Sequence, residues 1–165
     1  MTHLIYDIES FPNVFTLTAK TLGNDDTHVF EISERRNDWS DLLNVLTTLG
    51  HHGVEMVGFN NIGYDYPVIH AMLTGQVTPD AAGAYTMTKA IIESTDRFQY
   101  HVWPSDRLIP QIDLYKIHHF DNPARATSLK ALQFAMRSES VQDLPFEPGT
   151  ALTADQIDVL IEYNI

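Results

Sequence analysis

The sequence predicts one α/β domain whose mixed sheet begins as an antiparallel meander, continues with parallel strands and is flanked by helices. Three observations carry that expectation. Three alternating or apolar segments follow one another at the N-terminus with short, turn-rich links between them. After them, stretches of helical periodicity alternate with short apolar runs, the order that produces parallel crossovers. At 165 residues the chain has the size of one ordinary domain with a two- or three-layer core.

The elements follow in order. "HLIYDIE" and "NVFTLTAK" read as strands separated by "SFPN", and "THVFEI" as a third after the "GNDD" turn. "NDWSDLLNVLTTLGHHG" is a helix, with Asn37 or Asp38 as its cap and Gly50 or Gly53 near its end. "EMVGFN" is a short buried strand, and a right-handed crossover through the helix makes it parallel to the first strand. "YDYPVIHAMLTG" starts a second helix, and "TPDAAGAYTMTKAIIES" a third, with Thr78 as cap and Pro79 in its first turn. Residues 96–112 read as irregular or extended, "PQIDLY" as a strand, "TSLKALQFAMR" as a helix and "SESVQDLPFEPG" as a loop. In "DQIDVLIEYNI" the apolar residues Ile157, Leu160, Ile161 and Ile165 fall on one helical stripe, and Thr153 with Gln156 forms a capping box before them. No internal repeat or interdomain linker interrupts this pattern.

Composition narrows the function classes. An apolar fraction of 44% with 19% charged residues fits a soluble globular protein, and no apolar run approaches the ~20 residues of a membrane span. The start "MTHLIYDIE" enters a strand pattern without a basic region, so no signal peptide and a cytoplasmic location are expected. The absence of cysteine excludes disulfides, thiolate nucleophiles and Cys-ligated zinc. The adjacent pairs His51-His52 and His118-His119 cannot both face one metal from a regular element, which argues against a zinc site.

A net charge of −12 argues against ordinary duplex binding, which rests on Lys and Arg meeting phosphates. The exception is a site where divalent cations stand between acidic ligands and phosphate. The bases are also unevenly spread: Lys89, Arg97, Arg107, Lys116, Arg125, Lys130 and Arg137 are seven of the ten. Phe98, Tyr100, Trp103, Tyr115 and Phe120 lie among them, a mixture that reads either as a base-stacking track or as a solvated face with buried aromatics.

Three acids stand apart. Asp7 and Glu9 in "LIYDIES" are two apart on a strand, so both carboxylates project from one face about 6.6 Å apart along the axis. Two like charges side by side in an apolar strand are costly unless a cation offsets them or the strand lies at an exposed edge. In "GFNNIGYDYPVI" a buried strand runs into a helix, with Asn61 and Asp65 four apart, beyond a strand's carboxyl end where α/β sheets collect ligands. Asp65 taken alone also reads as an ordinary first-turn acid.

In this order "DIE", "NIGYD" and the final "IEYNI" resemble the three motifs of the DEDD superfamily of 3′–5′ exonucleases, tyrosine subclass, the proofreading domains of phage-type DNA polymerases and their relatives. The segment "QIDLYKIHHFDNPARATSLKALQF" is similar to these exonucleases as well. The resemblance covers nearly the whole chain and implies a ribonuclease H-like fold over residues 1–165. It implies two Mg²⁺ or Mn²⁺ ions, bridged by Asp7 and held further by Glu9 and Asp65, with Tyr163 orienting the attacking water. It also implies contacts of Ser10 and Asn61 with the 3′-terminal nucleotides, of Tyr64 under a base and of Lys130 with phosphate; Tyr64 also reads as core, and Lys130 as a solvated helix residue. The substrate implied is the 3′ end of single-stranded DNA, beside a polymerase domain in the same or a partner chain, in the host cytoplasm if the source is viral.

The third motif of this subclass ends in an Asp four residues after its Tyr, two positions past Ile165. The expectation is therefore a domain cut from a longer protein inside its last motif, lacking one acidic ligand and weakly active or inactive by itself. A ribonuclease of the same superfamily and a non-cutting module that binds single strands or docks to a replication protein remain alternatives.

Overall fold

The computed structural model describes residues 3–23, 26–96, 98–118, 128–138 and 143–165. Arg97, His119, Phe120, Arg125 and the first part of the loop from residue 138 lie outside the described residues.

The three N-terminal strands form as their patterns require: β1 (His3–Phe11), β2 (Val14–Thr21) and β3 (Thr27–Ser33). β1 pairs antiparallel with β2, and β2 with β3. Helix α1 (Trp39–His52) ends where Gly53 takes a left-handed φ of 61°, a conformation that favours glycine. The chain then enters β4 (Glu55–Gly58), parallel to β1, and later β5 (Gln111–Asp113), parallel to β4. The sheet order is β3-β2-β1-β4-β5. This mixed five-stranded sheet flanked by helices is consistent with a ribonuclease H-like arrangement.

β1 lies between β2 and β4 in the sheet, but β4 pairs only with His3–Ile5, so Asp7 and Glu9 have a strand neighbour on the β2 side alone. Alternation on β1 sorts the layers. Leu4, Tyr6 and Ile8 face the main core with Phe15, Leu17, Ala19, Met56 and residues of α1, α2 (Asp65–Leu73) and α3 (Ala81–Glu93). On the other face Phe11 and Val14 pack with Leu152, Ile157 and Leu160 of the C-terminal segment, whose helix is α6 (Ala154–Tyr163). The helix periodicity of that segment therefore buries one stripe against the β1–β2 end of the sheet.

Local chemistry moves two of the expected boundaries. Asp80, not Thr78, caps α3: its backbone is extended and its carboxylate accepts from the Gly83 amide at 2.7 Å. The strand expected in "PQIDLY" stops at Asp113 and turns directly into α4 (Leu114–His118), because Asp113 Oδ1 accepts from the Tyr115 amide at 3.0 Å and draws the chain into a turn. Helix α5 (Leu129–Ala135) is capped by Ser128, which accepts from the Ala131 amide. α6 starts with the expected box: Thr153 Oγ1 accepts from the Gln156 amide and Gln156 Oε1 accepts from the Thr153 amide at 2.8 Å.

Two ties hold α6 to the sheet. At its start, Asn13 in the β1–β2 turn donates to the Leu152 carbonyl and accepts from the Leu152 amide, both at 2.8 Å. Further along, Arg35 grips the fully buried Glu31 of β3 with two bonds of 2.8 and 3.0 Å, and reaches Asp158 of α6 at 2.7 Å and the Ala154 carbonyl at 3.0 Å. Burial by itself would raise the Glu31 carboxyl; hydrogen bonds from Arg35 and Ser33 with the charges of Arg35 and Arg36 outweigh it and hold the group below its usual range.

Candidate active site

β4 is short, and its pairing with β1 ends at Ile5 opposite Val57. Beyond that point β1 has lost its neighbour, and the Ile8 amide points at empty edge. Asp65, at the first turn of α2, fills the gap: its Oδ1 accepts from the Ile8 amide at 3.3 Å. The chain reaches Asp65 through a tight passage at Gly58, where a Cβ would stand 2.8 Å from the Asn61 side chain and 3.3 Å from the Tyr6 carbonyl. Glycine is needed there because the backbone approaches so closely.

This places the buried Asp65 carboxylate between those of Asp7 and Glu9 along β1. The three groups feel one another electrostatically. Loss of hydration and then the Asp7 charge raise the Glu9 carboxyl from 4.5 to about 8. Asp7 remains open to solvent, but protein on several sides strips part of its hydration and raises it from 3.8 to about 6, against opposing contacts from Asp65, Asn164 and the Ile8 backbone. Asp65 is raised well above its usual range by burial first, then by Asp7, with Glu9 adding a smaller push. Among the described residues no Lys or Arg forms an ion pair with any of the three.

Helix α6 brings its end to the same place. Tyr163 is raised from 10.0 by burial and then by the Glu9 and Asp7 charges, and Asn164 is the polar neighbour that α6 offers to Asp7. The Asn164 Nδ2 atom is buried without a closed hydrogen bond. Directly across from the two β1 acids in the register, Thr18 opposes Asp7 and Thr16 opposes Glu9, on the face that α6 covers. Both threonines are buried, and neither hydroxyl finds a partner. Orphaned polar atoms beside uncompensated carboxylates mark a place where something polar belongs.

The other candidates take different positions around this centre. Ser10 lies on β1 one residue past Glu9, so alternation turns it to the opposite face, where its Oγ is buried without a partner. Asn61 is buried with its Nδ2 donating to Gln111 Oε1 at 2.9 Å, an atom that also accepts from the Tyr6 hydroxyl at 2.9 Å. Tyr64 packs against the main core with its hydroxyl 3.5 Å from Thr88 Oγ1, yet stays within reach of the acids: burial first, then the charges of Asp65, Glu9 and Asp7, raise its phenol to about 12. Lys130 is exposed on α5 and pairs with Asp143. A surface cleft of about 280 Å³ between the end of α1 and Leu108–Ile109 lies at the amino ends of β4 and β5, away from the carboxylates.

Sequence reasoning missed four residues here. Thr16 and Thr18 were legible in principle, since a "TLT" antiparallel to "DIE" in register must oppose it. Asn164 follows from Tyr163 at the helix end. Asp113 was not legible: it is buried at the carboxyl end of β5, its Oδ1 accepting from the Asn60 and Tyr115 amides, and its Oδ2 is buried with no partner.

The donor set is made of carboxylates with hydroxyl and amide groups behind them, the hard oxygen chemistry of Mg²⁺ or Mn²⁺. Among the described residues no group of three His, Asp or Glu side chains closes on one point as a finished cage, so the carboxylates form an open, mutually repelling set. A divalent cation is the partner that relieves such repulsion.

The sign of the pH dependence follows. Asp7 and Glu9 titrate near 3.8 and 4.5 when unfolded and near 6 and 8 when folded, so the folded chain holds more protons across that interval. The metal-free protein is therefore expected to lose stability as pH rises from about 4 to 8 and to level off above. Thermal melts in EDTA at pH 5 and pH 8 check this; a higher melting temperature at pH 8 contradicts it.

No family model, curated protein or solved structure matches the chain. Fold and site thus define it by themselves: a mixed α/β domain of ribonuclease H-like arrangement, with uncompensated acids at the carboxyl ends of its central strands. Among the described residues no helix is long and apolar enough to cross a membrane.

Proposed function

We propose that the chain is a metal-dependent exonuclease domain of the DEDD type, tyrosine subclass, removing nucleotides from the 3′ end of single-stranded DNA beside a polymerase domain in the same or a partner chain. One observation carries the reading. Asp65 of α2 stands beside Asp7 and Glu9 of β1, no Lys or Arg among the described residues pairs with any of the three, and α6 carries Tyr163 within reach of their charges.

Asp7, Glu9 and Asp65 would hold Mg²⁺ or Mn²⁺ through their carboxylate oxygens. Two such ions supply charge neutralisation for the scissile phosphate and for the attacking and leaving oxygens. The Tyr163 phenol stays protonated near neutral pH, raised further by burial and by Glu9 and Asp7, so it orients a water by hydrogen bonding and does not abstract its proton. Thr16 and Thr18 stand behind Glu9 and Asp7, where their hydroxyls can bond the carboxylates or waters on the ions and fix their orientation. Loss of the open recess to a bound strand would dry the site and strengthen each of these contacts.

The second reading is a module that binds strand ends without cutting. One experiment separates the two. Mn²⁺ is titrated into the chain, and a 5′-labelled single-stranded oligonucleotide is incubated with it and with a version in which α6 continues by two residues to an Asp four after Tyr163. Mn²⁺ binding, with shortening of the oligonucleotide from its 3′ end by the extended version, is the expected result. Metal binding with the oligonucleotide left intact by both supports the non-cutting module. Failure to bind Mn²⁺ at all ends the nuclease reading.

A further inference from the structure

Between α3 and β5 the chain carries an aromatic cluster that the carboxylate site does not use. The Phe98 and Trp103 rings lie 6.2 Å apart between centroids and within 18° of parallel. His101 meets Trp103 edge-on at 4.7 Å and Phe98 at 6.2 Å. Phe98 is 50% and Trp103 54% exposed, a large apolar area to leave in water.

The cluster is built, not frayed. Tyr100 and Val102 turn inward onto the main core and anchor the segment. Asp96 Oδ1 accepts from the Phe98 amide at 2.9 Å, the His101 amide donates to the Phe98 carbonyl at 3.1 Å, and the Asp106 amide donates to the Trp103 carbonyl at 2.9 Å. Rings held this way need little ordering on binding.

Cations surround it. Arg107 donates from Nε to the Val102 carbonyl at 3.2 Å, and both Arg107 and Lys116 lie close enough to His101 to disfavour its protonation, after burial. Among the described residues neither Arg107 nor Lys116 pairs with a carboxylate. In a chain of net charge −12 these two cations balance Asp96 and Asp106 of the same segment, so the ground around the exposed rings is locally neutral and not strongly acidic. A second copy of so acidic a chain is repelled overall, whereas a single-stranded nucleic acid offers bases to the rings and phosphates to the two cations.

We propose that Phe98, His101 and Trp103, rimmed by Arg107 and Lys116, form a stacking platform for bases of a single-stranded nucleic acid. The platform deepens the exonuclease reading, on which its role of holding the strand behind the terminal nucleotides rests. Binding itself requires neither metal nor cleavage.

The test is a titration of the whole chain with dT12 in EDTA, following tryptophan fluorescence. Quenching that disappears in the Trp103→Phe variant is expected, so that the signal comes from the platform and not from Trp39. Phe98→Ala should weaken binding by roughly 5- to 100-fold, and Arg107→Gln should lower the salt slope by about one. An abasic strand of equal length should bind far more weakly to the unaltered chain. Because dT12 binding is read in EDTA and needs neither metal nor cleavage, failure of the nuclease reading would not disturb this result. Unquenched Trp103, or equal binding of the abasic strand, overturns the platform. So does a loss of self-association, without loss of dT12 binding, in Phe98→Ala, which would assign the patch to a second copy.

Discussion

Asp7→Asn is expected to reduce Mn²⁺ affinity by more than about 100-fold, beyond the cost of losing a group that merely orients a ligand. The substitution keeps the size of the side chain and removes the charge that the other two acids feel: Asp7 is the leading charge acting on Glu9 and on Asp65 after burial. The same change should therefore stabilise the metal-free protein at pH 8, where Asp7 is otherwise charged beside a half-ionised Glu9, and bring Glu9 down from about 8. Opposite effects on metal binding and on apo stability distinguish a ligand from a structural residue. Calorimetric Mn²⁺ titration and melts in EDTA measure the two. Superimposable titrations of variant and parent would remove Asp7 from the site.

Arg35→Met is expected to destabilise the fold by ~3 kcal/mol, the low end of the range for breaking a buried pair. The low end applies because Ser33 still donates to Glu31 at 2.6 Å and Arg35 is itself 32% exposed. The residual cost is that of a carboxylate with 1% exposure left without its bidentate partner. Adding Glu31→Gln should recover a large part of the loss, because the stranded charge is gone; urea denaturation of the single and double variants tests this. The change should also reach the acids. Arg35 ties Asp158 and the Ala154 carbonyl to β3, and α6 carries Tyr163. With that tie cut, the Tyr163 phenol should move back toward 10.0, away from the Glu9 and Asp7 charges, in an ultraviolet titration. A destabilised variant whose Tyr163 titration is unchanged would show that Arg35 braces the sheet without positioning the helix.

Much of the candidate site was legible because it depends on local periodicity. Two residues apart on a strand must share a face, and an apolar "LIY" before "DIE" foretells a buried strand with a charged end. The junction "NIGYD" was readable for the same reason: a short apolar run stops, a turn follows, and the acid begins a helix. The cap of α3 and the end of β5 were misplaced because both depend on one side chain outbidding another for an amide, which periodicity does not record. Ser10, Asn61, Tyr64 and Lys130 were grouped with the acids by resemblance; Tyr64 does feel the charges of all three, whereas Ser10 turns to the opposite face of β1, Asn61 bonds Gln111 and Lys130 pairs with Asp143.

By itself the sequence determined the order and type of the elements apart from α4, the shared face of Asp7 and Glu9, and the box that starts α6, since each is set by neighbours within a few residues. Only the tertiary structure decided that β1 is central, that Asp65 replaces the missing β4 partner of Ile8, and that Thr16, Thr18 and Asn164 gather on the acids. Those facts arise from pairing between segments far apart in the chain. Side-chain pattern specifies which face a strand buries, but strand order and register come from how all the faces are buried together.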